Sequence, residues 1–487
     1  YERDQLVSKD SIGMYIDTSG INRTNPIEGL DKLTDKADLI VGVEASKYTT
    51  NKDIIIKDPG IIKPYRDAML KNKKVTNWNI YSGSLTWTAT ASLDKNGYID
   101  SNIVMSKIPY TAWAGNKALP VKPKDVYNFT DGLEQRYGVD GLGTKENKLF
   151  QKLNNIGKNE EVLLHQAFDE MMGHQYGNLQ QRIQATGSVL DKEFNYLRRE
   201  WRTASKDSNK LKVFGMNGEY STDTAGIIDY KSNAYGVAYV GENETFRLGD
   251  TTGWYTGIVH NTNKFKDIGN SKEEMLQAKL GIFKSEAFDE NNSLNWTISG
   301  EGFVGYNKMN RKFLVVDEIF QARSRYWSYG MALKNELSKT LRWSENFSLR
   351  GYGSMKAEYG RFQKIKEKSG EVRLEVKSND YLSLKPEIGT ELIYKTSLSE
   401  RNFLRARLGV AYENELGRVA NARNKARVAY TNADWFGIRG EKEDRRGNIK
   451  TDLNVGLDNE RYGITANVGY DSKGKNKRVG LGLRVIF

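Results

Sequence analysis

The feature that most constrains this chain is a period of two. In residues 447 to 471, Ile449, Thr451, Leu453, Val455 and Leu457 alternate with Lys450, Asp452, Asn454, Gly456 and Asp458. After a tight turn, Tyr462, Ile464, Ala466, Val468 and Tyr470 alternate with Gly463, Thr465, Asn467, Gly469 and Asp471. The last ten residues, RVGLGLRVIF, repeat the pattern with Val479, Leu481, Leu483, Val485 and Phe487 on every second position. Side chains along a strand point to opposite faces, so each segment predicts a strand with one apolar and one polar face.

Earlier segments agree. Leu404, Ala406, Leu408, Val410 and Tyr412 oppose Arg405, Arg407 and Gly409, and Leu276, Ala278, Leu280 and Ile282 oppose Gln277, Lys279 and Gly281. Trp327, Tyr329, Met331 and Leu333 oppose Ser328, Gly330 and Lys334. There are roughly twelve such segments, the number of a mid-sized outer-membrane barrel. Alternation also suits a soluble sandwich, but a sandwich needs large residues on two facing cores. Here the apolar phase often holds Ala, Thr and Gly, and the polar phase mixes glycine with both signs of charge. Tyr and Trp near strand ends fit an interfacial girdle. The pattern therefore predicts a mostly β chain ending in a twelve-stranded transmembrane antiparallel β-barrel. Its register is well determined, because a one-residue slip would turn Arg405 and Arg407 outward at about 2–4 kcal/mol each.

Composition removes other classes. The net charge of +12 is spread among 62 acidic residues without a long basic run, which argues against nucleic acid. The absence of cysteine excludes disulfides, thiolate zinc sites and thiol catalysis. Mean hydropathy is −0.66, and no apolar run approaches the length of a transmembrane helix, a test to which barrel strands are invisible. The chain starts at Tyr1 without initiator Met or signal peptide, so a processed or truncated piece is expected.

Upstream, texture changes twice. Residues 1 to about 120 are β-rich, as in LIVGVEA (39–45) and SLTWTATASL (84–93). From about 124 to 203 the spacing is helical. Leu164, Phe168 and Met171 share a face, as do Phe194, Leu197 and Trp201 after a capping-box pattern at Ser188 and Asp191.

A closed barrel must pair its first and last strands, because an open edge in lipid leaves backbone groups unsatisfied. RVGLGLRVIF then closes the ring. Its alternation and terminal Phe487 resemble the signal read by the bacterial barrel-assembly machinery, with Val479, Leu481, Leu483, Val485 and Phe487 as its elements. LEVKSNDYLSLKPEIG (374–389) and FGMNGEYSTD (214–223) look like barrel strands of the monomeric autotransporters of type V secretion. MYIDTSGINRTNPIEGL (14–30) is similar to a segment of large autotransporter adhesins.

That resemblance implies a translocator barrel with an α-helix in its lumen, leading to an exported passenger. Four regions are expected: 1–123, a β-helix-like, autochaperone-like passenger end; 124–159, a helical linker; 160–204, a helical segment entering the lumen; and 205–487, the barrel. The stretch from about 173 to 203 is long enough to cross a membrane of about 40 Å at 1.5 Å per residue, although Gly177 and Gly187 could break it. Its polar face would offer Lys192, Glu193, Arg198, Arg199 and Arg202 to lumen-facing Glu301, Glu358, Glu387 and Glu391. Arg350, Arg405, Arg407 and Arg484 complete the inward charges.

The implied function is export and anchoring of an adhesin passenger at the bacterial outer membrane, with residues before about 160 at the cell surface. Implied partners are the lipid bilayer, the assembly machinery and, through the passenger, host or bacterial surface receptors. The chain is expected to be a monomer. A porin, a barrel-borne surface enzyme and a soluble β-rich binding protein are the alternatives.

Chemical motifs are weak. GVDGLGTK (138–145) nearly spells a phosphate loop, but Thr144 precedes Lys145 where the reverse is required. His165, Asp169, Glu170 and His174 would leave one helix in two directions, so they predict no metal site. His260 lies in a strand without a G-x-S-x-G element or triad spacing. The flanks Leu153 and Ile156 of Asn154-Asn155 do not match a self-cleavage site. No enzyme activity and no cofactor are expected.

Overall fold

The computed structural model describes residues 12–20, 26–115, 122–199, 207–222, 224, 226–244, 250–289, 293–419, 423–442 and 446–487. Twelve strands form the barrel: Asp207–Tyr220 (β1), Tyr230–Glu244 (β2), Thr251–Phe265 (β3), Lys272–Ala287 (β4), Leu294–Val315 (β5), Glu318–Arg342 (β6), Phe347–Phe362 (β7), Asn379–Ser397 (β8), Phe403–Asn414 (β9), Gly447–Asp458 (β10), Tyr462–Asp471 (β11) and Asn476–Ile486 (β12). Each pairs antiparallel with its sequence neighbours, and β12 returns to β1. Lys477 lies opposite Glu219 and Ile486 opposite Lys210, and the backbone of Phe487 bonds in both directions with that of Asn209 at 2.8 and 3.3 Å. No edge of the ring is left open to lipid.

The two phases separate as the alternation requires. Along β12, Leu481 is 66% exposed and Arg484 1%. Val479 and Leu483 are also exposed, and Val485 is half-buried. Leu280 and Ile282 on β4, Met331 and Leu333 on β6, and Leu453 and Leu457 on β10 face outward, while Lys279, Glu336 and Asn454 are buried inside. Some inward glycines exist for close approach. A Cβ at Gly281 would stand 2.2 Å from the Tyr255 ring, and one at Gly360 the same distance from Tyr381. Aromatic rings thus lie flat over neighbouring-strand glycine, filling the wall without bulging into the lumen.

One end of the barrel carries short connections such as Arg342 to Phe347 and Asp458 to Tyr462. The other carries long ones, including Phe362 to Asn379 and Asn414 to Gly447, the asymmetry of an outer-membrane barrel with its long loops outside. Segments of those two loops, Ile365–Lys366, Leu374–Val376, Lys425–Val428 and Phe436–Gly437, pair into a four-stranded sheet over the mouth.

Among the described residues five α-helices precede or enter the barrel: Pro59–Lys71 (α1), Pro123–Arg136 (α2), Lys145–Asn154 (α3), Glu161–Met171 (α4) and Leu179–Arg199 (α5). The region expected to be β-helix-like holds two small sheets. Ile12–Ile16, Lys36–Val41 and Asn77–Ser82 form a parallel three-stranded sheet, and Asp53–Ile56, Trp87–Leu93 and Ile99–Lys107 an antiparallel one. Met14, Leu39, Met69 and Met105 join their core. Asp58 caps α1 by accepting from the Gly60 amide at 2.9 Å, so the DPG stretch starts a helix that lies in the chain between the second and third of the parallel strands.

The expected linker 124–159 is a packed cap. Phe129 of α2 meets Phe436 of the loop sheet with ring centroids 5.5 Å apart, and Asp125 accepts from the Gly437 amide at 2.9 Å. Thr144 caps α3 through the Asn147 amide at 3.2 Å, so the glycine-rich GVDGLGTK stretch is a helix-entry turn. Lys148 reaches Glu318, and Lys152 reaches Asp317, at the tip of the β5–β6 hairpin, both at 2.9 Å.

The outward phase predicts that Leu453→Arg lowers barrel stability by about 2–4 kcal/mol in denaturant titrations of the folded protein in lipid, and a neutral result would mean the faces are reversed.

Candidate functional site

The candidate site is the lumen and the helix that fills it. Gly173 ends the α4 segment in the left-handed region, φ 78°, and the short turn His174–Tyr176 redirects the chain into α5. Gly177 therefore lies at the bend. Gly187 stays inside the helix, where a Cβ would stand 2.5 Å from Gln277 and 2.9 Å from Lys279. That glycine lets helix and wall touch. Ser188 does not start a helix: it is interior and its hydroxyl donates to the Gln184 carbonyl at 3.0 Å.

One stripe of α5 is apolar. Leu190, Phe194 and Leu197, three and four residues apart, pack on Phe214, Ala234, Ala238, Tyr255, Val259 and Phe283 from β1 to β4. The rest of the helix is held by charge. Arg182, 2% exposed, donates to Glu273 at 2.7 and 3.1 Å, and Tyr326 donates to the same carboxylate at 3.0 Å. One turn past Gly187, Asp191 accepts from Lys279 at 2.9 Å and Lys356 at 2.7 Å. Glu301 shares those lysines at 3.0 and 3.7 Å. At the far end Arg199 bridges Glu336, at 3.2 Å, and Glu391. Lys210 on β1 donates to the Leu197 carbonyl at 2.6 Å and covers the helix C-terminus. Above the helix, fully buried Arg311 holds Glu367 at 2.8 Å, and Tyr176 donates to Glu367 at 3.0 Å. Separating any of these charges from water is tolerable only while its partner stays.

The expected residues are distributed as follows. Arg199 meets Glu391. Glu193 instead pairs with Lys212 at 2.6 Å, and Arg198 lies over the Phe283 ring at 4.0 Å. Lys192 borders a cavity of about 340 Å³ beside the helix, lined also by Glu387 and Lys450. Arg202 lies outside the described residues. Glu358 accepts from Tyr381 at 2.7 Å and lies 3.5 Å from Lys356, while Glu387 pairs with Lys450 and accepts from Tyr352 at 2.8 Å. Arg350 is paired with Glu336 and Glu391, and Arg407 with Glu391 at 3.5 Å. Arg405 and Arg484 share Asp458. Sequence reasoning missed Arg182 and gave Asp191 a capping role; their partners Glu273 and Lys279 do sit on inward strand positions, which was the available signal.

The motif-like residues have structural partners. His165 pairs with Glu161 at 3.2 Å. His174 bonds Asp169 at 3.1 Å and accepts from the Arg439 amide at 3.2 Å, because the bend at Gly173 folds it back onto α4. Asn154 accepts from the Trp87 indole at 2.9 Å and donates to Tyr137 at 2.9 Å, locking the outer cap rather than lying in the lumen.

Two outcomes follow. Arg182→Leu should destabilise the folded barrel by about 3–5 kcal/mol and Arg182→Leu/Glu273→Leu by clearly less, in denaturant titrations; equal losses would contradict a paired buried charge. In the outer cap, burial and a hydrogen bond with Asp140 push the Glu146 carboxyl up to about 7 against the pull of Arg136. An unfolded glutamate titrates near ~4.3, so the folded cap binds the extra proton between about 4.3 and 7 and loses stability as pH rises through that window. Glu146→Gln should flatten this slope in hydrogen exchange of α2 and α3 between pH 5 and pH 7.5, and an unchanged slope would refute the assignment.

The comparisons with known proteins bear on the barrel. The autotransporter β-domain family model matches residues 211–469. The translocator domain of autotransporter NalP from Neisseria meningitidis aligns with TM-score 0.46 and 15% identity over 62% of this chain and 95% of that one. The transport unit of the autotransporter AIDA-I from Escherichia coli aligns with TM-score 0.40 and 9% identity over 62% and 98%. The β domain of the Bordetella autotransporter BrkA gives 0.40 and 9% over 58% and 99%. No curated protein sequence matches. Spanning more than half of the chain, the family match places the barrel in the bacterial outer membrane, and the chain belongs to the autotransporter β-domain family.

Proposed function

We propose that this barrel exports and then anchors the segment preceding α5, presenting residues before about 160 at the cell surface. The observation that carries the reading is the path of α5. It runs from the long-loop mouth, where Asn424 donates to the Tyr176 carbonyl at 2.8 Å, to the opposite end, where Arg199 meets Glu336. The chain then enters β1 from that end. A single polypeptide thus crosses the barrel once through its lumen and rejoins the wall, as the end state of a passenger drawn outward would require.

The proposed regions are a surface segment at 1–123, a docked cap at 124–159, the mouth and lumen helices at 160–204 and the barrel at 205–487. The passenger is an adhesin in this proposal, acting on host or bacterial surface receptors, and the barrel itself has no catalytic role. Phe487 is 69% exposed at the end of β12, beside Tyr239 at 6.5 Å between centroids, and is proposed to be read during insertion by the assembly machinery.

Deleting Phe487 should lower the amount of heat-modifiable barrel in outer membranes without changing synthesis. In the full chain, protease added to intact cells should cleave sites before residue 160 and spare β1 to β12. Undiminished assembly in the truncation would overturn the role of Phe487, and protection of the N-terminal sites would overturn export.

A further inference from the structure

The outer wall of β2 to β6 carries a cluster of cations that neither the lumen nor the cap uses. On β5 the outward positions Trp296, Ile298, Gly300, Gly302, Val304 and Tyr306 are apolar or glycine, and the next is Lys308. On β6 the outward band runs from Leu337 to Trp327, and the next position is Arg325. Ten residues at about 3.3 Å, tilted by about 40°, rise about 25 Å, the height of the apolar band of an outer-membrane barrel. Tyr306 and Trp327 face one another in register with centroids 4.9 Å apart, an aromatic pair at the upper rim of that band. Lys308 and Arg325 are opposite one another in the next outward row.

The same height is reached on the neighbouring strands. Trp254 lies near the lower end of β3, and Lys264 is ten residues farther along. Lys264 is in register with Lys231 of β2 and with Lys272 of β4. All five cations are exposed. Lys272 is paired with Glu274 at 3.2 Å; among the described residues no ion pair engages the other four. On the opposite wall, the outward positions of β9 to β11 are Leu404 through Asn414, Ile449 through Leu457 and Tyr462 through Tyr470, and they hold no lysine or arginine. The cationic belt thus leaves out β9 to β11, while Lys477 of β12 and Arg361 of β7 are outward as well.

Neighbouring strands stand about 4.8 Å apart. Lys231, Lys264 and Lys272 share one register row, flanked by Glu219 opposite Lys231. Lys308 and Arg325 lie in the row where β4 carries Glu274. The three lysines in line repel unless an anion joins them. The belt is continuous with the lipid-facing wall and lies at the long-loop end, level with the headgroups of the outer leaflet. We propose that Lys231, Lys264, Lys272, Lys308 and Arg325 form a docking face for the phosphate groups of a phosphorylated glycolipid of the outer leaflet, whose acyl chains lie against the apolar band below. Arg325 and Lys308 hold phosphate from β5 and β6, and Lys231, Lys264 and Lys272 from β2 to β4. The inference rests on the membrane position of the barrel and is independent of what the chain exports.

The test uses the full chain folded in detergent micelles. Micelles are doped with a hexa-acylated disaccharide glycolipid bearing two phosphates, or with the same glycolipid after phosphate removal, and retained lipid is quantified by mass spectrometry. The folded chain should retain the phosphorylated form at least about tenfold more than the dephosphorylated one, since each basic residue near an anionic surface adds to retention. Lys264→Gln/Lys308→Gln/Arg325→Gln should abolish the preference while remaining heat-modifiable, and replacing the two lysines by arginine should keep it. If the triple variant does not fold, Arg325→Gln alone is compared and should lose part of the preference. Equal retention of both glycolipids by the unsubstituted chain, or an unchanged preference in the folded variants, would overturn the proposal.

Discussion

The rest of the structure depends on the closure of β12 on β1. In hydrocarbon no water is available to satisfy a free N–H or carbonyl, so eleven strands would be unstable where twelve are not. The ladder from Lys477–Glu219 to Ile486–Lys210 removes the last open edge and fixes the register of the whole ring. Register in turn decides polarity. With Leu481 and Leu483 held outward, Gly480, Gly482 and Arg484 must face inward, and the same parity is transmitted across every neighbouring strand.

Closure creates a second constraint. The inward phase of twelve strands lines a narrow space with charges that cannot all stay fully hydrated. The wall answers partly within itself, as in the sharing of Asp458 by Arg405 and Arg484. The remainder is answered by α5. Asp191 neutralises two wall lysines, Arg182 and Arg199 neutralise wall glutamates, and the apolar stripe of Leu190, Phe194 and Leu197 covers the aromatic inner face of β1 to β4. The helix is therefore part of the barrel's own charge balance. Above it, the buried pair of Arg311 on β5 and Glu367 in the β7–β8 loop continues the same logic.

The barrel was legible because its pattern is local. Parity along a strand needs only neighbouring residues, so the outward leucines and inward charges of β4, β6 and β10 could be assigned from spacing. The luminal helix was only partly legible. Its apolar residues at Phe194 and Leu197 showed, but Ser188 three residues before Asp191 imitates a cap, and only the positions of Lys279 and Lys356 on distant strands reveal that Asp191 is an ion-pair centre. Glu193, Arg198 and Glu301 were placed in the lumen without their partners, since partner choice depends on helix rotation. The N-terminal region was less legible, because short alternating segments such as SLTWTATASL fit β-helix rungs and a small antiparallel sheet equally well. What separates the two is the antiparallel pairing of Trp87–Leu93 with Ile99–Lys107, which spacing within one segment does not show.

The central claim is that α5 fills a closed barrel and is bound to its wall by paired charges. Conductance of the full chain in planar lipid bilayers tests it most directly. If the helix occupies the lumen as described, the chain shows no large steady pore, and charge loss at Arg182 and Asp191 together brings frequent openings. Large, steady channels from the unsubstituted full chain would contradict the account.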